Sequence, residues 1–383
     1  MQSLDLFARD KLAARERANL RRSIVETAAG DGVHVIRNGR TLVSFCSNDY
    51  LNLSQHPKVK RAAAAAAETY GAGAGASRLV TGSHPLYAAL ESRLAKLKGT
   101  EAACVFGSGY LANSAIIPAL VGPGDAILID ELAHASMHSG ARLSGATIMP
   151  FRHNDVADLR ALLERERARF QHALIVTEGV FSMDGDVAPL SDLSALAQRF
   201  DAWLMSDDAH GVGVLGQGRG SAFVTDPPAA IPLQMGTLSK AIGSYGGYLC
   251  ASRDVIALMQ NRARPLIYST GLPPAAIGAA IAALDIIESE PDYTALPLQK
   301  ARAFTRAANL PAAESAIVPI TIGDADAALR ASALLEDEGF LVVAIRPPTV
   351  PEGTARLRVT FNAAQPDESI ERLAHIVRHR ILT

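Results

Sequence analysis

AWLMSDDAHG (residues 202–211) and IPLQMGTLSKAIG (residues 231–243) each begin with an apolar run of strand length and end in polar or small residues. Four further runs of this kind are ACVF (103–106), AILID (126–130), ALIVTEG (173–179) and GYLCAS (247–252). Segments of amphipathic, helical periodicity alternate with these runs. The alternation predicts an α/β fold with a mostly parallel sheet wrapped by helices, and places ligands at the C-terminal ends of the strands.

The flanking sequence predicts an N-terminal arm and a second, smaller α/β domain. Residues 4–22 space their apolar residues at helical period, and short strand-like pieces follow at Val33–Ile36 and Leu42–Phe45. After a helix near Ala275–Glu288 come three further strands with helices between and after them: IVPITI (317–322), LVVAI (341–345) and RLRVTF (356–361). We therefore divide the chain into an arm (1–49), a large domain (50–284) and a C-terminal small domain (285–383).

Composition narrows the function classes. The 383 residues are 49% hydrophobic and 20% charged with a net charge of −2, so neither a nucleic acid nor a membrane surface is an expected partner. Three cysteines without CxxC spacing predict neither a disulfide framework nor a zinc site. The first residues lack the apolar core of a signal peptide, and prolines interrupt the uncharged stretch 265–284. We expect a cytoplasmic protein that acts on a small molecule and uses no metal.

Lys240 is the first candidate catalytic residue. It stands just after the predicted strand IPLQM, in the small-residue segment GTLSKAIGSYGG. A lysine that forms a Schiff base must be partly buried, so that it loses its proton near neutral pH. A solvated surface lysine is the commoner alternative, but the position after a core strand favours the Schiff base.

Asp207, Asp208 and His210 follow the strand AWLMS at the edge where such sheets bind ligands. An ionised aspartate beside a pyridine nitrogen keeps that nitrogen protonated, which pyridoxal 5′-phosphate (PLP) needs in order to accept electrons. We expect Asp207 in this role and His210 near the ring hydroxyl. A metal site or a helix N-cap is the alternative for these three residues.

A glycine pattern follows the strand ACVF. Gly107, Gly109 and Ala112 match GxGxxA, and Asp130 follows about 20 residues later, as in dinucleotide-binding units. A helix N-terminus offers N–H donors and a positive dipole end to any phosphate. Because Lys240 and Asp207 stand on later strands, we assign the N–H groups of Gly109 and Tyr110 to the phosphate of PLP.

Two further loops carry candidate cofactor contacts. His134 and His138 are four residues apart, but the glutamate of a zinc-binding HExxH motif is missing. We expect His134 to stack on a flat cofactor, with a purely structural histidine as the alternative. In the loop VFSMDGD, Ser182 could donate a hydrogen bond to the cofactor, although serine in a loop is usually a turn residue.

The segments SNDYLNL, GSGYLAN, HAS, TEGVFSMDGD, DDAHG, the lysine segment and RPPTVPEGTARLR together resemble the α-oxoamine synthases almost end to end. The resemblance implies a PLP-dependent transferase fold like that of aspartate aminotransferase, and a homodimer with active sites between protomers. It also implies condensation of an amino acid with an acyl thioester and loss of carbon dioxide. The segments LRR (20–22) and AIRPPTVPEGTARLR (344–358) are most similar to biotin-pathway members, which implies L-alanine and a pimeloyl thioester, carried by coenzyme A or acyl carrier protein.

The resemblance also implies residue roles. It implies Lys240 as the Schiff-base lysine, Asp207 at the pyridine nitrogen, His210 and Ser182 at the ring oxygen, and His134 on the ring. Phosphate contacts are implied for Gly109, Tyr110, Thr237 and, from the neighbouring subunit, Thr270. Substrate contacts are implied for His134, for Asn48 and Arg358 at the amino-acid carboxylate, and for Arg21 and Thr349 at the acyl group, with Arg22 able to replace Arg21.

Other functions remain open from the sequence. A glycine-using member of the same family would take a shorter acyl group, and a PLP aminotransferase would need no thioester. A nicotinamide dehydrogenase would explain the glycine pattern alone, and a non-catalytic binding protein would make Lys240 and Asp207 coincidences. The segment RPPTVP favours the alanine-using member.

Overall fold

The computed structural model describes residues 3–17 and 20–382. Its helices are α1 Ser3–Arg17, α2 Pro57–Tyr70, α3 Leu86–Lys98, α4 Gly109–Leu120, α5 Ala135–Ser144, α6 Val156–Glu166, α7 Leu190–Arg199, α8 Arg253–Arg262, α9 Arg264–Tyr268, α10 Pro274–Ser289, α11 Pro291–Ala308, α12 Ala325–Asp337 and α13 Asp367–Ile376. Its strands are β1 Thr27–Ala29, β2 His34–Arg37, β3 Arg40–Ser44, β4 Ala102–Phe106, β5 Ala126–Asp130, β6 Thr147–Phe151, β7 Ala173–Glu178, β8 Trp203–Asp207, β9 Leu233–Thr237, β10 Gly247–Ala251, β11 Ile317–Gly323, β12 Phe340–Leu341, β13 Val343–Ile345 and β14 Ala355–Thr360.

A seven-stranded sheet forms the centre of the molecule, in the order β4-β10-β9-β8-β7-β5-β6. Only β10 runs against its neighbours, pairing antiparallel with both β4 and β9. The other neighbouring strands pair in parallel. The predicted, mostly parallel sheet is confirmed, and the C-terminal ends of β4, β5, β7, β8 and β9 all meet at one edge.

Helices cover both faces of this sheet. Along β4 and β10, successive side chains enter different cores: Val105 and Tyr248 pack with α3 and α10, whereas Cys104 and Leu249 pack with α4 and α8. Strands buried on both faces are continuous apolar runs rather than alternating ones, because each face needs its own apolar residues. Because these strands are buried on both faces, their continuous apolar runs could be recognised as strands in the sequence.

The C-terminal part has a separate core and a sheet in the order β11-β14-β13, covered by α11, α12 and α13. The segment LVVAI, predicted as one strand, is split at Val342: β12 pairs in parallel with β3 of the arm, whereas β13 pairs antiparallel with β14. The single-strand prediction was wrong because the two halves join different sheets. The arm is thereby attached to the C-terminal part.

Two other segments bear on the sequence predictions. In the arm, α1 ends at Arg17, residues 18 and 19 lie outside the described residues, and residues 20–22 are not helical, so the helix is shorter than the 4–22 segment. Residues 265–284 contain a short helix, a loop and most of the buried helix α10, as expected. Within residues 3–17 and 20–382, no helix is long and apolar enough to cross a bilayer.

Candidate active site

Lys240 lies three residues after β9, at the sheet edge where the parallel strands end. Burial lowers the pKa of its amine, and the positive charge of Arg358 lowers it further, while the carboxyls of Asp207 and Glu178 act in the opposite direction. The net direction is downward. The amine therefore has the electrostatic surroundings of a lysine that can be neutral, nucleophilic and basic.

Asp207 is the last residue of β8 and is buried. Its Oδ2 accepts a hydrogen bond from Asn113 Nδ2 at 2.8 Å, and its Oδ1 accepts one from the backbone N–H of Ala209 at 3.0 Å. Asn113 comes from α4 and also donates to Ser136 Oγ, at 2.9 Å. A buried carboxylate with a donor on each oxygen is held in one orientation, as a fixed partner for a cationic group would need.

Asp208 has a different function from its neighbour. Its carboxylate pairs with the buried ammonium of Lys98 at 2.8 Å and accepts a 2.6 Å hydrogen bond from Ser221 Oγ. These contacts support a structural ion pair, and the alternative of a shared metal site with Asp207 and His210 has no support. Across the described residues, no group of three or more His, Cys, Asp or Glu side chains could hold a metal ion.

His210 lies beside Tyr50, a residue that the sequence reasoning missed. The hydroxyl of Tyr50 is 2.6 Å from His210 Nδ1, and both side chains are buried. Burial, together with the charges of Lys240 and Arg358, holds the pKa of His210 well below its usual value. The ring is therefore neutral, and its single N–H is set by the bond with Tyr50.

The predicted phosphate site is the N-terminus of α4. Ser108 caps this helix by accepting the N–H of Leu111, while the N–H groups of Gly109 and Tyr110 belong to the first turn, where no intrahelical acceptor exists. Thr237 Oγ1 is buried without a hydrogen-bond partner, and a Cβ on Gly109 would come within 2.4 Å of Thr237 Cγ2. An unpartnered hydroxyl beside free N–H donors fits an anionic phosphate.

The dinucleotide interpretation required Asp130 to be free for a ribose. Asp130 is instead fully buried, accepting hydrogen bonds from the backbone N–H groups of Leu132 and Asn154 and contacting His153 Nδ1 at 3.1 Å. Both carboxylate oxygens are thus used within the protein. The glycine pattern is better explained by a phosphate site than by a nicotinamide site.

His134 is the N-cap of α5. Its Nδ1 accepts the N–H of Ser136 at 3.2 Å and lies 2.7 Å from Ser136 Oγ. Desolvation by the surrounding protein lowers the pKa of His134, although part of the residue is exposed. Capping is a structural role, and the chain His134–Ser136–Asn113–Asp207 also fixes the plane of the ring. These are the contacts of a structural histidine, and stacking on the cofactor stays a prediction.

Arg358 on β14 is the residue that the C-terminal part contributes to the site. Its Nε donates to the carbonyl of Ser182 at 2.5 Å and its Nη1 donates to Asn48 Oδ1 at 3.1 Å. Its Nη2 lies 3.5 Å from the hydroxyl of Tyr50. The guanidinium is buried and held by neutral groups, so its charge is available to an anionic ligand. The loop bearing Ser182 is fixed in addition by the ion pair between Asp184 and Arg356.

The predicted acyl-contact residues lie at the arm. Arg22 Nη2 donates to Thr349 Oγ1 at 3.0 Å, whereas Arg21 pairs with Glu16 at 2.8 Å on the surface. A cavity of about 180 Å³ beside them is lined by Leu20, Arg22, Ala344, Ile345, Arg346, Pro347 and Thr349. The structure thus brings Arg22 and Thr349 together, and it directs Arg21 toward another partner.

Two predicted phosphate contacts have exposed side chains. The hydroxyl of Tyr110 lies 2.8 Å from Ser139 Oγ, while its backbone N–H remains at the start of α4. Thr270 follows α9 and forms an isolated bridge with Ser77. Its expected role involves a neighbouring subunit, so it stays a prediction.

Three site residues were absent from the sequence predictions: Tyr50, Asn113 and Glu178. Tyr50 and Asn113 act through hydrogen bonds to His210 and Asp207, contacts that no local pattern reveals. Glu178 had a usable signal, because it ends the strand ALIVTE at the same sheet edge as Asp207.

Comparison with known proteins agrees with this geometry. A family model of class I and II aminotransferases matches residues 40–377. A protein of Methylocella silvestris named 8-amino-7-oxononanoate synthase is 65% identical over 347 residues, covering 90% of this chain and 99% of that one. One of the same name from Maricaulis maris is 61% identical over 381 residues, covering 100% and 97%.

Among solved structures, SPT with PLP as an internal aldimine superposes with a TM-score of 0.92 at 27% identity, covering 99% of this chain and 98% of that one. The fold is that of the PLP-dependent transferases, and the cofactor is PLP. Lys240, Asp207 and the α4 N-terminus carry groups whose chemistry fits this cofactor: a buried amine, an oriented carboxylate and free backbone N–H donors. The chain therefore belongs to the class I and II aminotransferase family and, within it, to the PLP-dependent 8-amino-7-oxononanoate synthases.

Proposed function

We propose that the enzyme condenses L-alanine with a pimeloyl thioester in biotin biosynthesis, giving 8-amino-7-oxononanoate, carbon dioxide and the free thiol. The observation that carries the proposal is the buried guanidinium of Arg358, within electrostatic reach of Lys240 and oriented by Ser182 and Asn48. An arginine beside the reactive lysine suits a substrate that has an amino group and a carboxylate on one carbon. The names of the relatives support the substrate choice.

Bound PLP supplies an electron sink for the negative charge that develops on the α-carbon of the amino acid. Asp207 would support this chemistry because its oriented carboxylate would keep the ring nitrogen protonated. Arg358 binds the alanine carboxylate, and Asn48 keeps the guanidinium in place. Lys240 Nζ, whose pKa is lowered by burial, accepts the α-proton. Gly109, Tyr110 and Thr237 would hold the phosphate, His134 would lie against the ring, and Ser182 and His210 would contact the ring oxygen.

Each bond that forms in this reaction is matched by one that breaks. The α-carbon of alanine forms a bond to the thioester carbonyl carbon, and the carbon–sulfur bond breaks, releasing the thiol after it takes up a proton. The bond between the α-carbon and the carboxylate then breaks, releasing carbon dioxide, and the α-carbon takes up a proton. The carboxylate lost at that step is the one assigned to Arg358.

The acyl end of the substrate is proposed to lie at the arm. The product name implies a terminal carboxylate on the acyl chain, and the cavity beside Thr349 is lined by Arg22 and Arg346. A cationic cavity favours a chain that ends in a carboxylate over a short neutral acyl group. We assign the acyl contact to Arg22 and Thr349, and not to Arg21, whose guanidinium is engaged with Glu16.

The family also suggests two partners for the enzyme, a second copy of the chain and the carrier of the thioester. Dimers are typical of this fold, and a homodimer would bring Thr270 to the phosphate in the neighbouring subunit. The thiol carrier is coenzyme A or acyl carrier protein. Arg22 and Thr349 are proposed to contact the acyl chain and not its carrier, so either carrier is compatible with them.

An isotope experiment separates the proposed reaction from transamination. With L-alanine labelled at the carboxyl carbon, the condensation releases all of the label as carbon dioxide, in equal amounts with free thiol. An aminotransferase would leave the label in a keto acid and need no thioester. Mass spectrometry of the products therefore supports the proposal if labelled carbon dioxide and 8-amino-7-oxononanoate appear together, and contradicts it if labelled pyruvate appears alone.

A further inference from the structure

Two carboxyl groups stand side by side at the edge of the central sheet. Glu178 ends β7 and Asp207 ends β8, and the two residues are directly paired in these parallel strands. Neighbouring strands lie about 4.8 Å apart, so paired side chains lie on the same face of the sheet. Both residues are buried, with 3% and 6% of their surface exposed. The mechanism above uses only Asp207.

Two buried carboxylates this close cannot both be ionised without a large energetic cost, so one of them keeps a proton. Their hydrogen bonds differ. Asp207 accepts bonds of 2.8 and 3.0 Å, one on each oxygen. Glu178 accepts a longer bond of 3.3 Å at Oε2 from the N–H of Ser182, and its Oε1 is buried without a partner. An oxygen without a donor favours the neutral acid, so the proton belongs on Glu178.

The surroundings of Glu178 agree with this assignment. Burial raises the pKa of Glu178 well above its usual value, and the adjacent Asp207 raises it further. Lys240 and the backbone N–H groups of Ser182 and His134 act in the opposite direction but do not reverse the shift. Glu178 thus accepts a hydrogen bond from the loop that bears Ser182, and the backbone N–H of His134 acts on it electrostatically.

We propose that Glu178 is a positioning residue that holds a proton in the PLP-loaded enzyme, accepts the backbone N–H of Ser182, and leaves Asp207 as the only carboxylate charge beside the cofactor. The arrangement has a chemical consequence. A second negative charge near Lys240 would stabilise its ammonium form and weaken it as a base. A neutral acid keeps the backbone contact with Ser182 without that effect.

The first test uses the pH at which the visible absorption of the PLP-loaded protein changes, with no substrate present. In Glu178→Gln a neutral amide replaces a neutral acid, so the midpoint is expected to stay within about 0.3 pH unit of the wild-type value. Asp207→Asn removes a true negative charge and is expected to lower the midpoint by about one unit or more. The charge assignment would be overturned if the midpoint were lowered in Glu178→Gln. It would also be overturned if the midpoint were not lowered in Asp207→Asn.

Two further measurements do not depend on that titration. Difference infrared spectroscopy of wild type against Glu178→Gln is expected to show a protonated carboxylic acid in the wild-type protein at neutral pH, and its absence would contradict the proposal. Glu178→Ala removes the acceptor of the Ser182 N–H, so PLP dissociation is expected to be about tenfold faster than in Glu178→Gln. Equal dissociation in the two variants would overturn the positioning role. Because none of these readouts uses alanine or a thioester, their outcome is independent of the proposed reaction.

Discussion

At the scale of single residues, the reactivity of Lys240 depends on the balance between burial, Arg358 and Asp207. Burial lowers the pKa of the amine, Arg358 lowers it further, and Asp207 opposes them. The same surroundings keep His210 neutral, and the hydroxyl of Tyr50 fixes its orientation. The protonation state of each titratable group in the site is thus determined by its neighbours. The pH dependence of the site therefore follows from these contacts and not from residue types alone.

Replacing Lys240 tests the covalent assignment. Lys240→Ala is expected to lower turnover at least 10²-fold, the usual contribution of a positioned general base. It is also expected to abolish the cofactor mass that borohydride reduction attaches to the Lys240 peptide. The exposed Lys60 on α2 provides the control, since Lys60→Ala should keep both the label and the turnover. Retained turnover in Lys240→Ala would disprove the assignment.

The adjacent arginines of the arm form a matched pair. Arg22→Ala is expected to raise KM for the pimeloyl thioester about tenfold, because a hydrogen bond to a charged group contributes about 1.5–3 kcal/mol. The KM for alanine should not change, since Arg358 binds that substrate. Arg21→Ala is expected to change either KM less than about twofold, because its partner is the exposed Glu16. Steady-state kinetics would contradict the assignment if the Arg21 variant had the larger effect.

At the scale of elements, the start of α4 determines the phosphate site. Gly109→Ala would place a Cβ 2.4 Å from Thr237 Cγ2, and such overpacking costs about 1–3 kcal/mol. We expect PLP to bind about 10- to 100-fold more weakly, as measured by fluorescence titration of the apoenzyme. Gly122→Ala is the control, because its nearest neighbour would be Ser144 O at 3.9 Å. Unchanged PLP affinity in Gly109→Ala would exclude this helix terminus as the phosphate site.

The loops after β5, β6 and β7 are joined by His153, which contacts Asp130 at 3.1 Å and Asp186 at 2.8 Å. Burial disfavours the imidazolium, but hydrogen bonds to the two carboxylates outweigh it and raise the pKa of His153 to about 10. Because the folded-state pKa lies above that of the unfolded chain, the stabilisation is complete below about pH 6.5 and is lost as pH rises to about 10.

The matching variant is His153→Gln. We expect it to lower the free energy of unfolding by about 1.5–3 kcal/mol below pH 6.5, and by progressively less as pH rises toward 10. Urea unfolding of both proteins across this range gives the difference directly, and other titrating groups cancel in it. A difference that stays constant or grows with pH would show that His153 is not held as a cation.

The sequence predicted most of the elements of the large domain because its strands are buried on both faces and are therefore continuous apolar runs. It predicted Lys240, Asp207 and Gly109 because they follow such strands. It could not predict the division of LVVAI at Val342 between two sheets, since β12 and β13 find partners far away in the chain. The choice of Arg22 over Arg21 beside Thr349 and the link of Tyr50 to His210 likewise depend on contacts between distant segments.

At the scale of the whole molecule, the site is assembled from parts far apart in sequence. The central sheet supplies Asp207 and Lys240, β14 of the C-terminal part supplies Arg358, and Asn48 and Arg22 belong to the N-terminal arm. The arm is attached to the C-terminal part through β3 and β12, so the residues proposed to contact the acyl chain and the amino-acid carboxylate belong to one connected unit. In the proposed function, the large domain would hold the cofactor and this unit would select the substrates.

Free-thiol release by the PLP-loaded protein is the most direct test of the proposed reaction. Rates are compared for pimeloyl-CoA with L-alanine and for acetyl-CoA with glycine, each against a control without amino acid. We expect amino-acid-dependent release with the first pair and little with the second, because Arg22 and Arg346 line the cavity proposed for the acyl end. Faster release with acetyl-CoA and glycine would contradict the proposed substrates and the assigned acyl site.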